Sequence, residues 1–134
     1  MENQSRDVQV ECAENCGNSP KKELLKELTI AYAKNDMDFC LQCMRDDVTW
    51  ILVGKKEIQG TTEFRETLEQ LNEREVKKLT IDNIITHGNT GSVNGTILLK
   101  DNNEIAFCDV YNFGGFGKKA KIKKITSYVI PILK

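Results

Sequence analysis

Asn103 to Tyr128, NEIAFCDVYNFGGFGKKAKIKKITSY, is the stretch whose reading decides the fold. It reads as two long antiparallel strands joined by a glycine-rich turn. In the first strand Ile105, Phe107, Asp109, Tyr111 and Phe113 share one face, while Ala106, Cys108, Val110 and Asn112 share the other. One carboxylate, Asp109, therefore stands in the middle of an aromatic and aliphatic face. A charge buried there needs a partner, a raised pKa, or a face that is not sealed core. The expectation is a pocket wall.

Working outward, four strands are expected at hairpin spacing, at about 78–87, 92–100, 104–113 and 121–132. His87-Gly88-Asn89-Thr90-Gly91 and Lys100-Asp101-Asn102-Asn103 have turn composition. Asn94-Gly95 lies inside a strand pattern and marks a bulge or bend. Upstream the period is helical. Ser19-Pro20 reads as N-cap and first helical residue, and Leu24, Leu25, Leu28, Ala31 and Tyr32 recur at helical spacing to about Lys34. A second helix is expected from Met37 to about Arg45, ended by Asp46-Asp47, with Phe39, Cys40, Cys43 and Met44 as its stripe. A strand follows over Val48 to Val53. A turn then leads through Ile58-Gln59-Gly60 into a third helix carrying Phe64, Leu68 and Leu71.

Helices first and strands after give an α+β class, with three N-terminal helices packed in the concave face of a strongly curved, mostly antiparallel sheet. Residues 1–20 are polar and aperiodic and are expected to be a flexible arm, leaving 21–134 as the domain. Ala106, Cys108 and Val110, with Ile84, Ile125 and Val129, would form an outer face too apolar to stay wet. A homodimer through that face is therefore expected.

Composition bounds the partners. With 134 residues, 19 basic and 20 acidic, the net charge is −1. That balance lacks the basic excess of a general nucleic-acid binder. No apolar run approaches the ~20 residues of a membrane span. MENQSRDVQVE carries neither a basic nor an apolar segment of a secretory signal, so a cytoplasmic protein with five reduced cysteines is expected.

Three stretches carry a family resemblance: NDMDFCLQCMRDDVTW, EIQGTTEFRETL and FCDVYNFGGFGKKAKIKKITSY. Over about residues 21–132 the layout resembles the nuclear transport factor 2-like superfamily, which includes ketosteroid isomerases, dehydratases and polyketide cyclases. CGNSPKK, ITHGNTGSVNGT, FCDVY and ITSYVI resemble an uncharacterised bacterial subgroup of it. The resemblance implies the cone-shaped fold and an interior pocket, and leaves the activity open because this fold hosts many chemistries. Ketosteroid isomerase uses a carboxylate base with an oxyanion hole of a tyrosine and a protonated aspartic acid. On DDVTWILVG the base position falls at Leu52, and the oxyanion tyrosine falls at Leu28; neither handles a proton. Only the aspartic acid is matched, by Asp109, so the resemblance does not extend to steroid-type isomerisation.

Asp109 is accordingly the first catalytic candidate, as a neutral donor or general acid/base. His87, the single histidine, is the second, although its place beside Gly88 also fits a solvated turn residue. Trp50, Tyr111, Tyr128, Phe113 and Tyr32 are expected to line the pocket, against the plainer reading of aromatic core. Cys12, Cys16, Cys40 and Cys43 supply four thiols, but not at zinc-knuckle spacing. No metal and no cofactor is expected. The glycine loop Phe113–Gly117 lacks a following helix and is not a phosphate cradle, and the lysines after it read as a solvated strand edge. The functional expectation is a small-molecule-binding protein, with acid/base turnover of a small hydrophobic or carbonyl compound as its enzymatic form. The alternative is a non-catalytic dimeric module.

Overall fold

Ser19 caps the first helix by accepting a hydrogen bond from the Lys22 N–H at 3.3 Å, and Pro20 supplies the preset first turn. In the computed structural model, which describes residues 7–13, 19–115 and 119–133, this helix is α1, Pro20–Lys34. It ends at Asn35 in the left-handed conformation (φ 63°), where the Asn35 carbonyl side chain also accepts from Asn72 Nδ2 at 2.9 Å. Asp36 then caps α2, Met37–Gln42, through the Phe39 N–H. The third helix is α3, Gly60–Leu71. Glu63 reaches back to the Gln59 N–H at 2.8 Å, the glutamate half of a capping box.

Among the described residues, seven strands form one mixed sheet. They are β1 (Gln9–Cys12), β2 (Met44–Leu52), β3 (Lys56–Gln59), β4 (Val76–His87), β5 (Thr90–Leu99), β6 (Glu104–Phe113) and β7 (Ile122–Ile132), in the order β1-β4-β5-β6-β7-β2-β3. The β1/β4 and β2/β7 pairs are parallel and the other four are antiparallel. Helix α1 packs on β4 and β5, α3 packs on β2 and β3, and α2 bridges the two helices. The core, including Leu25, Leu28, Phe64, Ile81, Val93, Tyr111 and Ile125, lies between this helical layer and the inner face of the curved sheet. Each large side chain buried there contributes roughly 1.5–3 kcal/mol.

A bulge sets the bend. The β4/β5 register slips between Ile81 and Asn83, leaving Asp82 unopposed, and Gly95 sits opposite Ile81. A Cβ on Gly95 would run into the Thr80 carbonyl oxygen, so only glycine lets the strands approach this closely. Asn83 and Asn94 lock the next pair through a 2.9 Å side-chain bond. Because the bulge inverts the alternation, Ile81 and Ile84 both face inward, while Asn83, Ile85 and His87 face out.

Several expectations are corrected. The second helix stops at Gln42 rather than near Arg45, because the Cys43 carbonyl accepts the Ile122 N–H and Met44 already pairs with Ile122. Asp46 and Asp47 are strand residues, and Asp47 pairs bidentately with Arg45 at 2.7 and 2.9 Å. The expected turn before α3 contains the short strand β3. Within the expected arm, Gln9–Cys12 are instead β1, held on β4 with a Glu11–Lys78 ion pair of 3.2 Å. Residues 1–6 and 14–18, Cys16 among them, lie outside the described residues, as do 116–118 of the glycine loop and Lys134. Cys12 is disulfide-bonded, which corrects the expectation of five reduced thiols; Cys40, Cys43 and Cys108 are free.

Candidate functional site

The inner face of β6, β7 and β2 assembles the site. Asp109 lies directly opposite Ser127 on β7, and Ser127 lies opposite Leu52 on β2. Ser127 Oγ is 2.6 Å from Asp109 Oδ1, and the Trp50 indole N–H donates to the same Oγ at 2.9 Å. The indole has only a proton to give. It takes an acceptor position on Oγ, so the single serine proton is directed to Asp109. The Trp50 ring is itself held by Phe64, at a centroid distance of 5.0 Å.

Asp109, Ser127 and Trp50 line a cavity of about 250 Å³ whose walls are otherwise mostly apolar, with Ala33, Leu52, Leu68, Leu79, Phe107 and Ile125 among them. Asp109 is deep below the outer surface, yet partly accessible, because what accessible surface it has opens into the cavity. Burial pushes its carboxyl up to about 6, partly opposed by the Ser127 hydrogen bond. Oδ2 has no protein partner among the described residues. When Asp109 is protonated, Oδ1 is already the acceptor from Ser127, so the proton belongs on Oδ2. The carboxyl then presents a donor to the cavity.

The placement of the sequence-expected residues divides in two. Asp109, Trp50 and Tyr32 come together on the cavity wall. Tyr111 is fully buried behind it and donates to the Tyr32 hydroxyl at 3.2 Å; burial, helped by the Asp109 charge, holds the Tyr111 phenol well above its ordinary range. Phe113 is fully buried elsewhere in the core, with the Lys21 ammonium 5.2 Å from its ring centroid. Tyr128 does not reach the cavity. It lies opposite Cys108 on the outer face and is 44% exposed. Ile125 and Val129, expected outside, line the cavity instead, and Ile84 is buried inward. A register irregularity between Asn112 and Phe113 sets the phase of β7, and one phase error moves Ile125, Tyr128 and Val129 together.

His87 ends β4 on the exposed outer side, three residues beyond Ile84, which is roughly 10 Å along the strand. The structure does not bring it to Asp109, because the bulge at Asp82 turns it away. Ser127 was missed by sequence reasoning. Its only signal was its position opposite Asp109, which needs the β6/β7 register. Leu28 is fully buried and Leu52 lines the cavity beside Ser127; neither side chain can give or take a proton.

Among the described residues no group of three or more His, Cys, Asp or Glu side chains could hold a metal ion. Burial raises the Cys40 thiol strongly and the Cys43 thiol to about 11, which disfavours the thiolate that metal ligation or redox exchange requires. No described helix is long and apolar enough to cross a membrane.

No protein-family model matches the chain, and a search of curated proteins found no match. Solved structures do match. An NTF2-like protein of unknown function from Burkholderia xenovorans superposes with a TM-score of 0.72 at 16% identity, covering 86% of both chains. The fold is NTF2-like. Within that fold, the epoxide hydrolase/cyclase-like enzyme SalBIII, which acts in pyran ring formation in salinomycin, matches with a TM-score of 0.68 at 17% identity over 81% of this chain and 89% of its own. A proposed ketosteroid isomerase from Kribbella flavida matches with a TM-score of 0.69 at 12% identity over 89% of this chain and 84% of its own. At these identities the likeness to these proteins concerns the fold alone.

Proposed function

We propose that the cavity is a binding pocket for a small, largely apolar compound bearing a carbonyl or hydroxyl group, and that Asp109 is the group that engages it. The observation that carries this reading is a carboxyl on the wall of a mostly apolar cavity, bonded to Ser127 through one oxygen and raised by burial to about 6. A protonated Oδ2–H can donate to a carbonyl; the carboxylate can accept a proton from carbon or oxygen. A pKa near the working pH serves both directions. The enzymatic form of this proposal is acid/base chemistry of the isomerase, dehydratase or cyclase type, in keeping with the enzymes among the similar structures. Asp109 acts without His87, and Trp50, Ser127 and Tyr32 hold and shape the site.

A second reading has its own observation. Ile85, Tyr128, Ile130 and Ile132 leave an exposed apolar stripe on the outer sheet face, beside the partly exposed Cys108 and Val110. That stripe favours a homodimer through the sheet, with or without a working pocket. A cytoplasmic setting belongs to the proposal as well; the Cys12 disulfide favours an oxidising one, and fractionation of cells decides between them.

Thermal-shift screening against small ketones, enones and alcohols tests the pocket. Stabilisation of the parent that disappears in Asp109→Ala supports it. No stabilisation by any such compound, together with a tight dimer, supports the module.

A further inference from the structure

The cavity divides its charge between its two ends. Of its lining residues, the charged side chains are Asp109, Lys55 and Arg74. Asp109 is at the buried end. Lys55 and Arg74 are exposed and stand at the mouth with Val53 and Leu71, which are 44% and 47% exposed. The two cations come from separate elements. Lys55 sits on the β2–β3 turn, its N–H bonded to the Leu52 carbonyl at 2.9 Å. Arg74 sits on the α3–β4 connection, and one guanidinium nitrogen lies 3.4 Å from Asp101, with both side chains 54% exposed. No ion pair holds the Lys55 ammonium among the described residues. Two turns far apart in sequence thus each place an exposed cation on the lining of one cavity, whose other walls are mostly apolar and include a hydrogen-bonding acid.

We infer that the pocket's ligand is a small amphipathic monocarboxylate, with a carbonyl or hydroxyl at its buried end, an apolar middle, and its carboxylate at the mouth between Lys55 and Arg74. The inference rests on the pocket reading above and names the ligand class for it. The alternative for the same residues is an ordinary solvated rim. The size agrees with a small ligand, because about 250 Å³ lies just below the usual range of ligand pockets. The polarity is opposed to the reverse orientation. A carboxylate at the buried end would meet the Asp109 carboxyl and lose its hydration, whereas at the mouth it stays partly in water beside two cations.

Calorimetric titration of the full chain with a medium-chain ω-oxo carboxylate and its uncharged methyl ester tests this. The acid is expected to bind about fivefold tighter than the ester at low salt, with the gap shrinking as salt rises, since exposed ion pairs are weak and screened. In Lys55→Ala with Arg74→Ala the preference for the acid over the ester should vanish; Lys55→Arg should keep it. Both side chains are exposed, so these variants keep the fold. Equal or tighter binding of the ester overturns the carboxylate inference and leaves the pocket standing. Binding of neither compound overturns both.

Discussion

Ser127 Oγ lies 2.6 Å from Asp109 Oδ1 across the β6/β7 ladder, and its proton points toward the acid because the Trp50 indole occupies the other side of the oxygen. Ser127→Ala removes the interaction that holds the acid down. The Asp109 carboxyl should then titrate above about 6, as seen by carbon NMR of the labelled side chain. The variant should also lose about 1–3 kcal/mol in urea unfolding, because the buried Trp50 N–H is left without its acceptor. An unchanged titration would mean that the serine does not set the state of the acid.

The raised Asp109 carboxyl makes stability depend on pH in a defined direction. Its folded value is about 6 against an ordinary 3.8, so between these values the folded chain holds the proton more tightly than the unfolded chain. The contribution is full below about pH 4, falls as pH rises through about 6, and is lost above, by roughly 3 kcal/mol in total. The Tyr32 and Tyr111 phenols are held well above their ordinary range and stay neutral throughout. Asp109→Asn should flatten this decline in denaturant unfolding measured from about pH 4 to about pH 8. A decline of the same size in Asp109→Asn would place its origin elsewhere.

Gly95 tests the bend. An alanine Cβ there meets backbone at Thr80 and Ile81, which cannot move aside as the end of a flexible side chain could. Gly95→Ala should destabilise by about 1–3 kcal/mol or more in thermal melts. Full stability of the variant would show that the strands do not approach as closely as described.

These elements also separate what the chain reveals from what it hides. The α+β class, α1 with its Ser19-Pro20 start, and strands β4 to β6 were legible, because each is a long period bounded by strong caps or turns. Asp109 was legible as a polar residue on an apolar face. What could not be read was phase across irregularities. The bulge at Asp82 moved Ile84 inward and His87 away, and the β7 irregularity exchanged Tyr128 for Ser127 and Val129 at the cavity. A strand's composition is unchanged by such a slip, so nothing local reports it. The shortened α2 and the strand β1 are likewise products of pairing with distant partners, Ile122 and β4.

The outer stripe gives a separate expectation. Ile130 is 63% exposed on the face opposite the cavity. The parent should run in light-scattering chromatography at twice the 15.2 kDa chain mass, and Ile130→Lys should run at the single-chain mass without loss of ligand binding. A monomeric parent would show that this face does not self-associate.

The most direct measurement is a crystal structure of the chain with the most strongly stabilising ketone. Its carbonyl oxygen should lie within about 2.6–3.2 Å of Asp109 Oδ2, inside the walls formed by Trp50, Leu52, Phe107 and Ile125. A ketone seated on the outer sheet face, or a chamber closed by the protein's own side chains around Asp109, would contradict it.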